Sequence, residues 1–122
     1  MFATRVAATV SLLLAASPSA AFTAQNGLIV TERQPGFHVA WNGNAGAPAF
    51  WCAAGDYVIG SLGLPTDTQI YRVSPPVRRS GEGIDFGFDP AAAMPTGLLR
   101  LFGGRGLSAA YARQFCDTPA GR

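Results

Sequence analysis

The clearest pattern in the chain is the run Ile84, Phe86, Phe88 alternating with Asp85, Gly87, Asp89. Successive strand side chains point to opposite faces, so this stretch predicts a strand with one apolar face and one acidic or bare face, ended by Pro90. Phe37, Val39 and Trp41 alternate with His38, Ala40 and Asn42 in the same way. The β-branched segment Leu28–Arg33 predicts a strand just before it, and Gln34-Pro35-Gly36 fits a tight turn with Pro second and Gly third. Thr68–Val73 and Leu98–Phe102 read as two further strands, and Gly103–Gly106 reads as a hinge.

Two segments carry a different period. Ala49–Leu62 is apolar on nearly every side, as a buried helix is, with Trp51, Val58 and Leu62 on one stripe. Pro48 suits its first turn, Gly63 its left-handed end, and Ala53-Ala54-Gly55 a close approach to a sheet beneath. Ser108 can cap a last helix, Ala109–Cys116, with Leu107, Tyr111 and Phe115 on one face. The expected fold is α+β, in the order ββαβββα. It has a small antiparallel sheet of about five strands, with two helices packed on one face.

The N-terminus adds a compartment. Arg5 precedes the apolar run Val6–Ala16, Ser17-Pro18 breaks it, and Ser19-Ala20-Ala21 supplies small residues. That order is the pattern of a secretory signal peptide, and the run is too short for a membrane-spanning helix. Residues 1–21 are therefore expected to be removed and 22–122 to form a single domain, periplasmic or secreted, with no transmembrane segment. In that compartment Cys52 and Cys116 are expected to pair. They lie 64 positions apart, and closing a loop of that length stabilises by roughly 4 kcal/mol in the chain-entropy model. A redox role would call for a near partner, as in Cys-x-x-Cys, and neither cysteine has one.

Charge narrows the function. Beyond residue 21, eight Arg face seven Asp plus Glu, and there is no Lys. This balance disfavours a nucleic-acid surface, and lysine Schiff-base chemistry is excluded.

Candidate chemistry is sparse. His38 is the only histidine and is expected to face solvent without an orienting partner; with both cysteines joined, no metal site is expected. Asp85 and Asp89 share a strand face but sit roughly 13 Å apart at strand rise, too far for a shared-proton pair. Gly104-Arg-Gly106-Leu-Ser-Ala109 has the spacing of a dinucleotide loop, but the chain ends before such a unit closes; its smaller form is an anion cradle with Arg105. Gly60-Ser61-Leu62-Gly63 lacks the first glycine of a nucleophile elbow. Asp56, alone among apolar neighbours, either faces solvent or pairs with Arg72, Arg100 or Arg113. The loop Ser74–Gly81, with Arg78 and Arg79, offers bidentate grips for carboxylate or phosphate.

The sequence thus reads as an exported non-enzymatic domain, with no cofactor, binding a protein or envelope component through Arg78, Arg79 and Arg105. The alternative is a small periplasmic hydrolase or anion-dependent enzyme using His38 or Asp85/Asp89.

Overall fold

The computed structural model describes residues 21–43, 45–74, 82–99 and 103–122. The expected signal peptide, except Ala21, and the loop bearing Arg78 and Arg79 lie outside the described residues. Six strands form one antiparallel sheet: β1 (Phe22–Thr23), β2 (Ile29–Arg33), β3 (Gly36–Val39), β4 (Gln69–Arg72), β5 (Ile84–Gly87) and β6 (Gly106–Ser108). Their spatial order is β1-β2-β3-β5-β4-β6. Two helices, α1 (Ala47–Asp56) and α2 (Ala109–Gln114), complete an α+β fold.

The period-two pattern decides which sheet face is buried. Val30, Phe37, Val39, Ile84 and Phe86 point to one side and are almost wholly excluded from solvent. Trp51 of α1 meets Phe86 edge-on, ring centres 4.9 Å apart, and its indole N–H donates to the Thr96 carbonyl at 2.9 Å. That bond removes the cost of burying the one polar atom of the largest core side chain.

The helices pack on each other through small residues. Gly55 of α1 faces the backbone of α2: a Cβ there would come within 2.7 Å of the Ala109 carbonyl oxygen. Ala109 and Ala112 are fully buried opposite it. The close approach expected at Ala53–Gly55 is therefore made, at Gly55, with the second helix. Beside this contact Cys52 and Cys116 form the disulfide, with Cα atoms 4.9 Å apart.

Four expectations are corrected. The hairpin turn is Gln34-Pro35 with a cis peptide bond, and Gly36 already pairs with Arg33 as the first residue of β3. A Cβ at Gly36 would overlap the Phe86 carbonyl, so a residue without a side chain is needed where β3 crosses β5. The strand expected at Leu98–Phe102 is not formed at Leu98 and Leu99, and residues 100–102 lie outside the described set. The strand that pairs with β4 at its other edge is instead β6, which begins at the last residue of the expected glycine hinge, where bare Gly106 leaves room for the Tyr71 ring across from it.

The third correction concerns α1, which passes at Tyr57–Ser61 into a π-helical turn. Leu62 leaves the buried stripe and is 41% exposed. Gly63, at φ +63°, ends the helix as expected, and the Leu64 N–H closes onto the Val58 carbonyl at 3.1 Å. Finally, the buried side of α2 is Ala109, Ala112 and then Cys116; of the expected face Leu107 is buried and Phe115 partly buried against the core, whereas Tyr111 is exposed and meets the Phe115 ring edge-on. β1, only two residues long, was beyond any periodicity signal.

Candidate functional site

The sheet face away from the helices carries the alternate residues. Pairing of β2 with β3 sets Thr31 across from His38, and pairing of β3 with β5 sets His38 across from Asp85. One polar row thus crosses three strands. His38 Nδ1 and Asp85 Oδ1 lie 2.6 Å apart, and Arg33 donates from Nη1 to the same oxygen at 3.0 Å. The Asp85 N–H donates to Ser74 Oγ at 3.1 Å, which ties the end of β4 to the same point. His38 does sit on the face expected for it. The expectation that it lacks a partner is corrected: Asp85 holds its ring, which is half-buried. The other ring nitrogen packs against Gly83, where a Cβ would collide with it.

Beside this row the outer face opens into a cleft of about 580 Å³. It is lined by Arg33 and Asp85, the Gln34-Pro35 turn, Val73, Phe86, Phe88 and Ala92. Gly36 and Gly87 also line it. At Gly87 a Cβ would meet only the Val73 methyls, at 3.6 and 4.0 Å, so this position has room where Gly36 has none. Phe88, expected on the apolar strand face with Ile84 and Phe86, instead follows the end of β5, is 36% exposed, and keeps its ring 6.0 Å from that of Phe37. The lining is chiefly apolar with a few charges, the composition of a recognition pocket.

The remaining sequence candidates resolve as follows. Asp89 also borders the cleft, but its carboxylate caps the turn Pro90–Ala92 by accepting from the Ala91 N–H at 2.9 Å. Asp85 and Asp89 are thus committed to different partners rather than to each other. Arg105 is exposed and donates to the Ala93 carbonyl at 2.8 Å; it does not line the cleft. In the Gly104–Ala109 stretch Gly106–Ser108 is strand, and Ser108 Oγ accepts the Tyr111 N–H at 3.2 Å.

Asp56 is buried rather than solvent-facing, and among the described residues it pairs with Arg113; Arg100 lies outside them. Its Oδ2 accepts the Gln25 N–H at 2.9 Å, and Arg113 Nε approaches Oδ1 at 3.4 Å. This carboxylate therefore ties the segment after β1 to both helices. Arg72 is also buried, which pushes its guanidinium below the usual arginine range. Burial, followed by the nearby Glu32 carboxylate, raises the Tyr57 phenol. Among the described residues no group of three or more His, Cys, Asp or Glu is placed to hold a metal ion. No described helix is long and apolar enough to cross a membrane.

Two features of the site were hidden in the sequence. His38 and Asp85 are 47 positions apart, and only the strand register joins them. The cleft lies where two strands and a turn meet beside Gly87, and none of these announces a pocket. The fold and outer-face site define a disulfide-stapled α+β domain with one open sheet face. No protein-family model matches the chain, and no significant similarity to a curated protein or a solved structure is found.

Proposed function

We propose that this chain is an exported, non-enzymatic domain of the periplasm or the extracellular space, which binds a protein or envelope partner. The signal-peptide pattern at residues 1–21 and the Cys52–Cys116 disulfide support export. The observation that carries the binding role is the cleft of about 580 Å³ on the sheet face opposite α1 and α2. In this reading a partner inserts an apolar side chain between Pro35 and Phe88. Its backbone or polar groups then meet Arg33 and Asp85, where a charged pair adds selectivity more than affinity. Arg105, exposed and donating to the Ala93 carbonyl, holds the segment flanking the cleft and stays a candidate contact outside it. Arg78 and Arg79 lie outside the described residues, and the reading no longer rests on them.

Gly87→Leu tests this reading, because it fills the cleft at the one bare position with space. The variant is expected to keep the thermal midpoint of the parent and to lose recovery of the partner from envelope extracts. Equal recovery by a folded Gly87→Leu variant would reject the cleft as the contact.

A second reading is favoured by one observation. Asp85 orients His38 as a carboxylate orients a general base in hydrolytic sites. Against it, His38 does not line the cleft, and its second ring nitrogen faces Gly83. Hydrolytic turnover on a broad ester, amide and phosphoester panel, abolished by His38→Ala, would establish the enzyme; its absence would leave the binding role.

A further inference from the structure

The chain contains two Asn-Gly steps, Asn26-Gly27 and Asn42-Gly43. Asparagine followed by glycine is prone to deamidation, since the next residue has no Cβ to hinder attack by its own backbone nitrogen, and asparagine is one of the thermolabile side chains. The reaction needs two groups to be free: the side-chain carboxamide, which is attacked, and the following backbone N–H, which attacks.

At the first step both are occupied. Asn26 Nδ2 donates to the Ala49 carbonyl at 2.9 Å and to the Gly121 carbonyl at 2.8 Å, while its Oδ1 accepts the Leu28 N–H at 3.2 Å. The Gly27 N–H donates to the Ala24 carbonyl at 2.8 Å. Bringing this nitrogen to this carboxamide would break four hydrogen bonds, one of which ties down the C-terminal turn.

At the second step neither is occupied. Asn42 is exposed in the connection between β3 and α1, and among the described residues neither its carboxamide nor the Gly43 N–H makes a hydrogen bond. Gly43 has φ +59°, and no atom lies within 4 Å of where its Cβ would stand, so no packed neighbour obstructs the approach of its nitrogen to the Asn42 side chain.

From this contrast we infer that Asn42 is a site of spontaneous modification in the folded protein, with Asn26 protected by the fold. The Gly43 nitrogen attacks the Asn42 side-chain carbonyl carbon, a C–N bond forms, and the amide leaves as ammonia after taking up the proton lost by the Gly43 N–H. The resulting five-membered imide then takes up water at either carbonyl, giving aspartate or its isoaspartyl isomer. No oxidant or co-reactant beyond water is required. The new carboxylate shares a pocket of about 210 Å³ with the positively charged Arg122, so the product adds an opposite charge beside an existing one.

The purified, oxidised protein incubated at mildly alkaline pH, then digested and mapped by mass spectrometry with isoaspartyl labelling, tests this. Loss of the amide is expected at Asn42, with Asn26 intact. In the reduced protein in denaturant, loss is expected at both. Gly43→Ala should suppress conversion at Asn42; at φ +59° the new side chain is strained by about 1 kcal/mol, and an unchanged circular dichroism spectrum at the incubation temperature would show that the fold is retained. Conversion of Asn26 as fast as Asn42 in the folded state would overturn the inference. So would an Asn42 that keeps its amide in the folded protein while losing it in denaturant.

Discussion

Asp85 concentrates more of the site than any other side chain. It accepts from Arg33 and binds the His38 ring on one oxygen, and its backbone N–H is satisfied by Ser74. Arg33 is 59% exposed, so solvent screens that pair to at most about 1 kcal/mol, and the shorter His38 contact is the firmer one. Asp85→Ala is therefore expected to cost about 1–2 kcal/mol in urea unfolding, because it leaves the half-buried imidazole without its partner. Tyr57 gives a prediction in pH. Its phenol is raised by burial and then by Glu32, so above pH 10 the folded state holds a proton that the unfolded state has begun to lose. Stability from this group is complete below the ordinary tyrosine value of about 10 and falls as pH rises through the folded value. The thermal midpoints of wild type and Tyr57→Phe should run parallel below about pH 10 and diverge above it, the wild type losing more. Parallel curves throughout would show that Tyr57 does not contribute. At this scale the sequence was informative about which residues are odd, such as Asp56 and His38, and silent about their partners. A partner is a property of register and helix crossing, and neither is written in the local pattern.

Helices and strands were the legible level where a pattern ran several residues. The outer and inner faces of β3 and β5, the Pro48 start and Gly63 end of the first helix, and the Ser108 cap all follow from local sequence. Elements were missed where they are two or three residues long. β1 and β6 are held by pairing with a longer neighbour and by the room glycine leaves at Gly106, which only tertiary structure supplies. Leu98–Leu99 shows the reverse error, since an apolar pair reads as a strand, yet Leu99 is 99% exposed. The contact between α1 and α2 carries its own test. Gly55→Val would drive new atoms into the Ala109 carbonyl and the Arg113 nitrogen of α2. With no flexible side chain there to give way, overpacking is expected to cost about 3 kcal/mol in urea unfolding. A loss below the ~0.5 kcal/mol typical of surface changes would mean that the helices are not in backbone contact.

For the molecule as a whole, the crosslink between Cys52 and Cys116 and the open sheet face stand on opposite sides of the sheet. The disulfide joins the first helix to the turn after the second across 64 positions of chain. Replacing both cysteines by serine is expected to lower stability by about 3–4 kcal/mol, read as a fall in the urea midpoint. Such a loss acts mainly through the unfolded state, so the folded sheet and its cleft should persist in the absence of denaturant. The pairing was deducible from two cysteines and the expectation of an oxidising compartment. The cleft was not, because it lies where two strands and a turn meet beside the bare Gly87, which only the strand register brings together. The most direct test of the binding account places a photo-crosslinking phenylalanine analogue at Phe88, beside the cleft, and separately at Leu62, on the helical side. Irradiation in envelope extracts is expected to give a discrete adduct from position 88 that Gly87→Leu abolishes, and none from position 62. Adducts from position 62 alone, or an adduct at 88 that survives the filled cleft, would contradict it.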